Sequence, residues 1–158
     1  MRAAAALLLL AACSREQPTG ADTPGARLEA AATARGLLPD GGSATGIWAS
    51  DSDRLCIVPE GGASQIGAVV DYGEGQGCTA AGTAERKGDD LRVSFGDCRF
   101  SAAVDGERIS FPAELPPACT RLCTGRASLT ALTVTRLSAS ASEAAALRGG
   151  DGRLLCGS

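Results

Sequence analysis

The chain contains no histidine. That removes the Ser-His-Asp and Cys-His arrangements on which much nucleophilic hydrolysis rests. Lysine occurs once, as Lys87, in a Gly-Asp turn where it is solvated, so a Ser-Lys dyad has no good place to form. Basic residues are not in excess: 15 Lys and Arg stand against 18 Asp and Glu, a net charge of −3. This balance offers no footprint for nucleic acid or for an anionic lipid surface. Aromatics are few, with one Trp, one Tyr and three Phe. The longest apolar run, Ala3 to Ala12, has half of the roughly 20 residues that a membrane-spanning helix needs.

What is there begins with that run. Arg2 precedes it and Cys13 comes after it, the order of a secretory leader: charged start, short apolar middle, small residues at a cut site. Leu10-Ala11-Ala12-Cys13 resembles the lipobox of bacterial lipoproteins. The resemblance implies cleavage after residue 12 and several acyl chains on Cys13, which together hold a protein durably to a membrane. Ser14 in the next position implies the outer membrane, with the domain on the periplasmic face. A secreted or periplasmic protein is the alternative. Removing twelve of the 158 residues leaves 146, enough for one domain. The mature chain has 14 basic and 18 acidic side chains, a net charge of about −4.

Its Leu, Val, Ile and Phe number 26 of 146, a small supply for a core and below the roughly 20% at which disorder becomes a question. Cross-links can supplement it. Apart from Cys13 there are six cysteines: Cys56, Cys78, Cys98, Cys119, Cys123 and Cys156. An even number in an exported chain reads as three disulfides, each contributing about 2–4 kcal/mol. A zinc site built on Cys119 and Cys123 lacks a second close pair of Cys or His. Of the fifteen possible pairings, a shared neighbourhood in the meander favours Cys78 with Cys98, and Cys119 with Cys123 is the companion preference. The need to fasten the tail favours Cys56 with Cys156.

Residues 13–26 read as a flexible tether with a reach of about 20 Å, and 27–158 as the disulfide-stapled domain. Arg27 to Arg35 is alanine-rich and predicts a short helix, stopped by Gly36 and Pro39. Short strands come after it, around Gly46–Trp48, Leu55–Pro59, Ile66–Tyr72 and Cys78–Arg86. The clearest period-2 alternation comes next: Leu91, Val93 and Phe95, then Cys98 to Val104, then, after the Asp105-Gly106 turn, Ile109 and Phe111. Ser128 to Leu137 predicts a last strand with a bulge near Ala131 and Leu132. Ser140 and Glu143 have capping-box spacing ahead of a second short helix. The fold class is therefore mainly β: an antiparallel meander closing into a small barrel or sandwich, with a short helix at each end.

The other patterns have plain structural explanations. Asp51 with Asp53 and Asp89 with Asp90 could serve as carboxylate pairs, but aspartate is a turn former. Gly73-Glu-Gly-Gln-Gly77 lacks the lysine and Ser/Thr of a phosphate loop and reads as a hairpin loop. No cofactor and no metal is implied. The candidate partner-binding residues are Trp48 and Tyr72, the large amphipathic aromatics, and Arg121 and Arg126, which flank the Cys119–Cys123 stretch.

Gly46-Ile47-Trp48 at the opening of an all-β body resembles the Gly-x-Trp start of lipocalin-like barrels and of the periplasmic inhibitors of secreted metalloproteases. The body from Gly46 to Cys156 also resembles bacterial envelope lipoproteins with this cysteine arrangement. The leader, the cysteines and the strand pattern together lead to the expectation of a non-catalytic, membrane-anchored envelope lipoprotein. Its β-domain would bind a protein or another envelope component. An inhibitor of a protease or lysozyme is the second expectation, and an envelope hydrolase using carboxylates the third.

Overall fold

The computed structural model describes residues 23–34 and 43–157. The chain divides into two units, Met1–Asp40 and Gly41–Ser158. In the first, one helix, α1, covers Pro24–Ala34. It starts three residues earlier than the alanine pattern suggests, inside the stretch assigned to the tether. Thr23 Oγ1 accepts the Ala26 N–H at 3.1 Å, and Pro24 has no N–H to satisfy in the first turn. Leu28 on this helix is exposed. Cys13, the leader, the rest of the tether and the Gly36 and Pro39 stop signals lie outside the described residues.

The second unit is an eight-stranded closed antiparallel barrel in which each strand pairs with its sequence neighbours and the last with the first. The strands are β1 Gly46–Ser50, β2 Asp53–Glu60, β3 Ala63–Asp71, β4 Gly77–Lys87, β5 Asp90–Phe95, β6 Cys98–Asp105, β7 Arg108–Ser110 and β8 Thr133–Ser138. Of the two sequence alternatives, barrel and sandwich, the barrel is the one that forms. A meander with short hairpin turns brings β8 back beside β1, and closure leaves no strand edge unpaired for want of a neighbour.

Inward and outward positions obey the alternation seen in the sequence. Leu91, Val93 and Phe95 point in from β5, and Cys98, Ala102 and Val104 from β6. Trp48, Leu55, Ile57, Ile66, Ile109 and Val134 complete the centre, joined by Ala68, Ala80, Ala84 and Ala102. The alanines resolve the apparent shortage of apolar side chains. An eight-stranded barrel is only wide enough inside for side chains to meet, so small residues fill it as well as large ones.

The last strand is shorter than its sequence suggests. Leu129 and Leu132 are both buried, Ala131 between them has φ 56°, and pairing begins only at Thr133. A turn, not a bulge, occupies the place where the alternation slips. The β1–β8 pairing shifts register instead between Ile47 and Trp48.

A smaller apolar cluster lies outside the barrel wall. Ile47 and Cys56 face outward from β1 and β2, and α2 (Ala141–Ala145) and the tail bring Ala144, Leu155 and Cys156 over them. Ser140 caps α2, its Oγ accepting the Glu143 N–H at 3.3 Å, as the capping-box spacing predicts. Gly67 is required here. A Cβ at this position would run into Leu155 and the Cys56 sulfur. In the tail turn, the backbone N–H and guanidinium of Arg153 hold the Asp151 carboxyl below its ordinary value.

The disulfides join Cys56 to Cys156, Cys78 to Cys123 and Cys98 to Cys119. The first agrees with the expectation, and the other two correct it. Cys78 and Cys98 cannot meet, because β5 runs between β4 and β6. Cys119 lies within a 3-10 turn, Pro117–Leu122, and Cys123 just past its end, and the two bond to different strands, β6 and β4.

Candidate functional site

With its interior occupied, the barrel offers its ends and outer walls. The two ends are closed by different means. At one, which holds the chain entry and the β2–β3, β4–β5 and β6–β7 turns, Trp48 is completely buried and the Arg136 guanidinium lies over its ring, 4.1 Å from the centroid. The two residues are cross-strand partners. Together they bind three successive carbonyls of the entering chain. Arg136 Nη2 donates to Ser43 O at 2.9 Å, Trp48 Nε1 to Ala44 O at 3.0 Å, and Arg136 Nη1 to Thr45 O at 2.7 Å. Glu107, in the β6–β7 turn, places a carboxylate oxygen 2.7 Å from Arg136 Nε, out of line for a hydrogen bond, so it balances charge. Gly46 permits the entry itself: it has φ 134°, and a Cβ there would strike the Ser138 carbonyl.

The other end, the loop end, is closed by the long β7–β8 connection. Phe111 N–H donates to Leu132 O and Ala131 N–H to Pro112 O, which draws its base together. Leu129 and Leu132 plug the barrel below it. Two disulfides then pin the 3-10 turn, Cys119 to β6 and Cys123 to β4. Next to Cys123 the connection zips onto the β3–β4 loop. Thr124 N–H donates to Gly77 O at 2.8 Å, its hydroxyl donates to Gly75 O at 3.0 Å, and Arg126 N–H donates to Gln76 Oε1 at 3.0 Å. Loops fastened this way are pre-organised rather than ordered on contact.

Among the described residues, the three non-glycine positions with positive φ all belong to this end: Asp51 at 41°, Glu74 at 54° and Ala131 at 56°. An alanine in that region is the least expected of them, since Asp has a side chain that eases the conformation. Such strain collects where the surroundings fix a loop for a purpose.

The sequence candidates divide accordingly. Tyr72, Arg121 and Arg126 all lie at the loop end. Tyr72 is 58% exposed, and its N–H donates to Gln76 O, so Gln76 ties it to Arg126. Arg121 is exposed and pairs with Asp97 of the β5–β6 turn at 3.1 Å. Trp48 is a correction: a fully buried ring holding the opposite end cannot serve as a surface contact. The carboxylate pairs are split between the ends, Asp51 and Asp53 at the β1–β2 turn and Asp89 and Asp90 at the β4–β5 turn. Asp53 Oδ1 accepts the Asp71 N–H, a bond within the scaffold. Lys87 is exposed beside that second turn.

Arg136 escaped the sequence reading. The signal was present, as an arginine in step with inward-facing Val134 on a strand, but outward charge is the ordinary reading of such a position. Compared with protein-family models, with curated proteins and with solved structures, the chain matches none.

Proposed function

We propose that the chain is a non-catalytic, membrane-anchored envelope lipoprotein, held by acyl chains on Cys13, whose barrel binds a protein or another envelope component at its loop end. The observation that carries the reading is that exposed Tyr72 and Arg126 are tied through Gln76, with Arg121 exposed on the 3-10 turn, at one doubly cross-linked end. An exposed aromatic beside arginines is the composition that dominates binding surfaces. The filled interior directs binding to that rim and away from an enclosed pocket.

Two measurements test the two halves. Intact mass of the purified native protein, before and after reduction, reports the acyl chains and the three cross-links; Cys13→Ser should remove the acyl mass and release the protein from membranes. Cross-linking in intact cells should then give one dominant adduct that Tyr72→Ala with Arg126→Ala abolishes and Arg108→Ala, at the other end, leaves unchanged. If the adduct is a protease or lysozyme that the purified chain inhibits, the binding is inhibitory. An adduct indifferent to Tyr72 and Arg126 refutes the loop-end reading.

A further inference from the structure

We propose that the outer wall of β4–β6 is a groove for an anionic saccharide, distinct from the loop-end surface. The antiparallel register places two rows of outward side chains side by side. Glu85, Arg92 and Ser101 form one row, and Thr83, Ser94 and Arg99 the other. The β2–β3 turn, Gly61-Gly62, rims them, and the concavity has a volume of about 810 Å³. That is the size of a small-molecule site.

The chemistry is specific in three respects. First, the groove holds two arginines against one carboxylate, in a chain whose net charge is −3. Arg92 and Arg99 are diagonal neighbours on adjacent strands, close enough to grip one ligand. The Arg92–Glu85 contact is at 4.0 Å between exposed groups, too weak to compete with a bound anion. Arg99 donates Nε–H to Gly96 O at 3.3 Å, which orients the guanidinium and leaves its outer fork for a carboxylate or phosphate. Second, Thr83, Ser94 and Ser101 offer three hydroxyls that donate and accept, matching a polyol. Third, no Trp or Tyr lines the groove, and its one aromatic, Phe100, is packed against the core, so it presents no large exposed aromatic anchor. A sugar bearing carboxylate or phosphate satisfies all three; which of the two anions it carries is for the ligand series to decide.

The test is calorimetric titration of the full chain with a short oligogalacturonide, with a hexose phosphate and with a neutral oligosaccharide of matched length. The expected result is binding of at least one anionic probe, at least about tenfold tighter than the neutral one and weakened by salt. Arg92→Gln with Arg99→Gln should lower affinity at least about tenfold without moving the melting temperature, since both side chains are solvent-facing. Ser101→Trp, which fills the groove, should abolish binding by steric means. Tyr72→Ala with Arg126→Ala should leave it unchanged, so each surface stands or falls alone. Equal binding of the neutral probe, equal binding of a DNA oligomer, binding indifferent to the arginine and Ser101 variants, or no binding of either anionic probe would overturn the proposal.

Discussion

The two ends of this barrel do the same job with opposite chemistry. The Trp48 end is closed by non-covalent contacts among residues brought together by the register, with one arginine and one indole holding three carbonyls. The loop end is closed by sulfur as well as by apolar packing: two disulfides pin the 22-residue connection from Phe111 to Leu132, whose Leu129 and Leu132 plug the barrel. The loop end also carries the strained positions and the exposed aromatic. The Trp48 contacts and the proposed binding surface thus lie at different ends, and substitutions should separate them.

The largest effect is expected from Trp48→Ala. Emptying the ring's place costs about 3–5 kcal/mol, and Ala44 O loses its donor as well. Urea titration should show a much lower midpoint with probes at both ends melting together. If loop-end amides stayed protected while the barrel melted, the loop end would be an independent unit and the comparison would fail.

Replacing Cys98 and Cys119 by serine comes next. Loop-closure entropy over a 21-residue separation gives about 3 kcal/mol. Here the damage should be local first. Hydrogen exchange should accelerate in 112–131 at denaturant concentrations where Trp48 and its neighbours remain protected. Adduct formation through Tyr72 and Arg126 should weaken with it. Uniform acceleration across the barrel would mean that the cross-link supports the whole fold and not one end.

This contrast also explains what was legible in the sequence. Period 2 around Leu91–Phe95 and Cys98–Val104 is a local pattern, and it survives intact in the structure. Barrel closure results from a meander of eight such strands. Ser128–Leu137 misled because Leu129 and Leu132 are buried as a plug, a tertiary role that imitates strand hydrophobicity. The pairings of Cys78, Cys98, Cys119 and Cys123 depend on which strand stands between which, a three-dimensional fact that spacing does not contain. Cys156 was readable because so short a tail needs fastening, and the cross-link to Cys56 supplies it beside the packing of Leu155. Tyr72, Arg121 and Arg126 were nameable by residue type, but the link between Tyr72 and Arg126 through Gln76 was not. Arg136 was hidden by the ordinary rule that charge faces outward.

Arg136→Lys tests the geometry of that hidden residue. A lysine keeps a charge over the indole but has no planar fork to reach Ser43 O and Thr45 O together. Leaving one acceptor unpaired should cost about 1–2 kcal/mol, with fraying confined to residues 43–46 in hydrogen exchange. A neutral outcome would show that cation over ring is sufficient, and that the carbonyls find water.

The smallest effect should come from Glu107→Gln. The carboxylate approaches Arg136 Nε closely, yet it is 73% exposed while the arginine side chain is only 13% exposed. Solvent screening reduces such a pair to less than about 1 kcal/mol. Arg136 is already fixed by two carbonyls and a ring, so losing the carboxylate removes charge balance but no hydrogen-bond partner. The melting temperature should fall slightly, and the difference from wild type should shrink as salt is raised. A large, salt-insensitive loss would mean that the Trp48 end depends on a buried ion pair, and its closure would then be electrostatic rather than a matter of backbone capture.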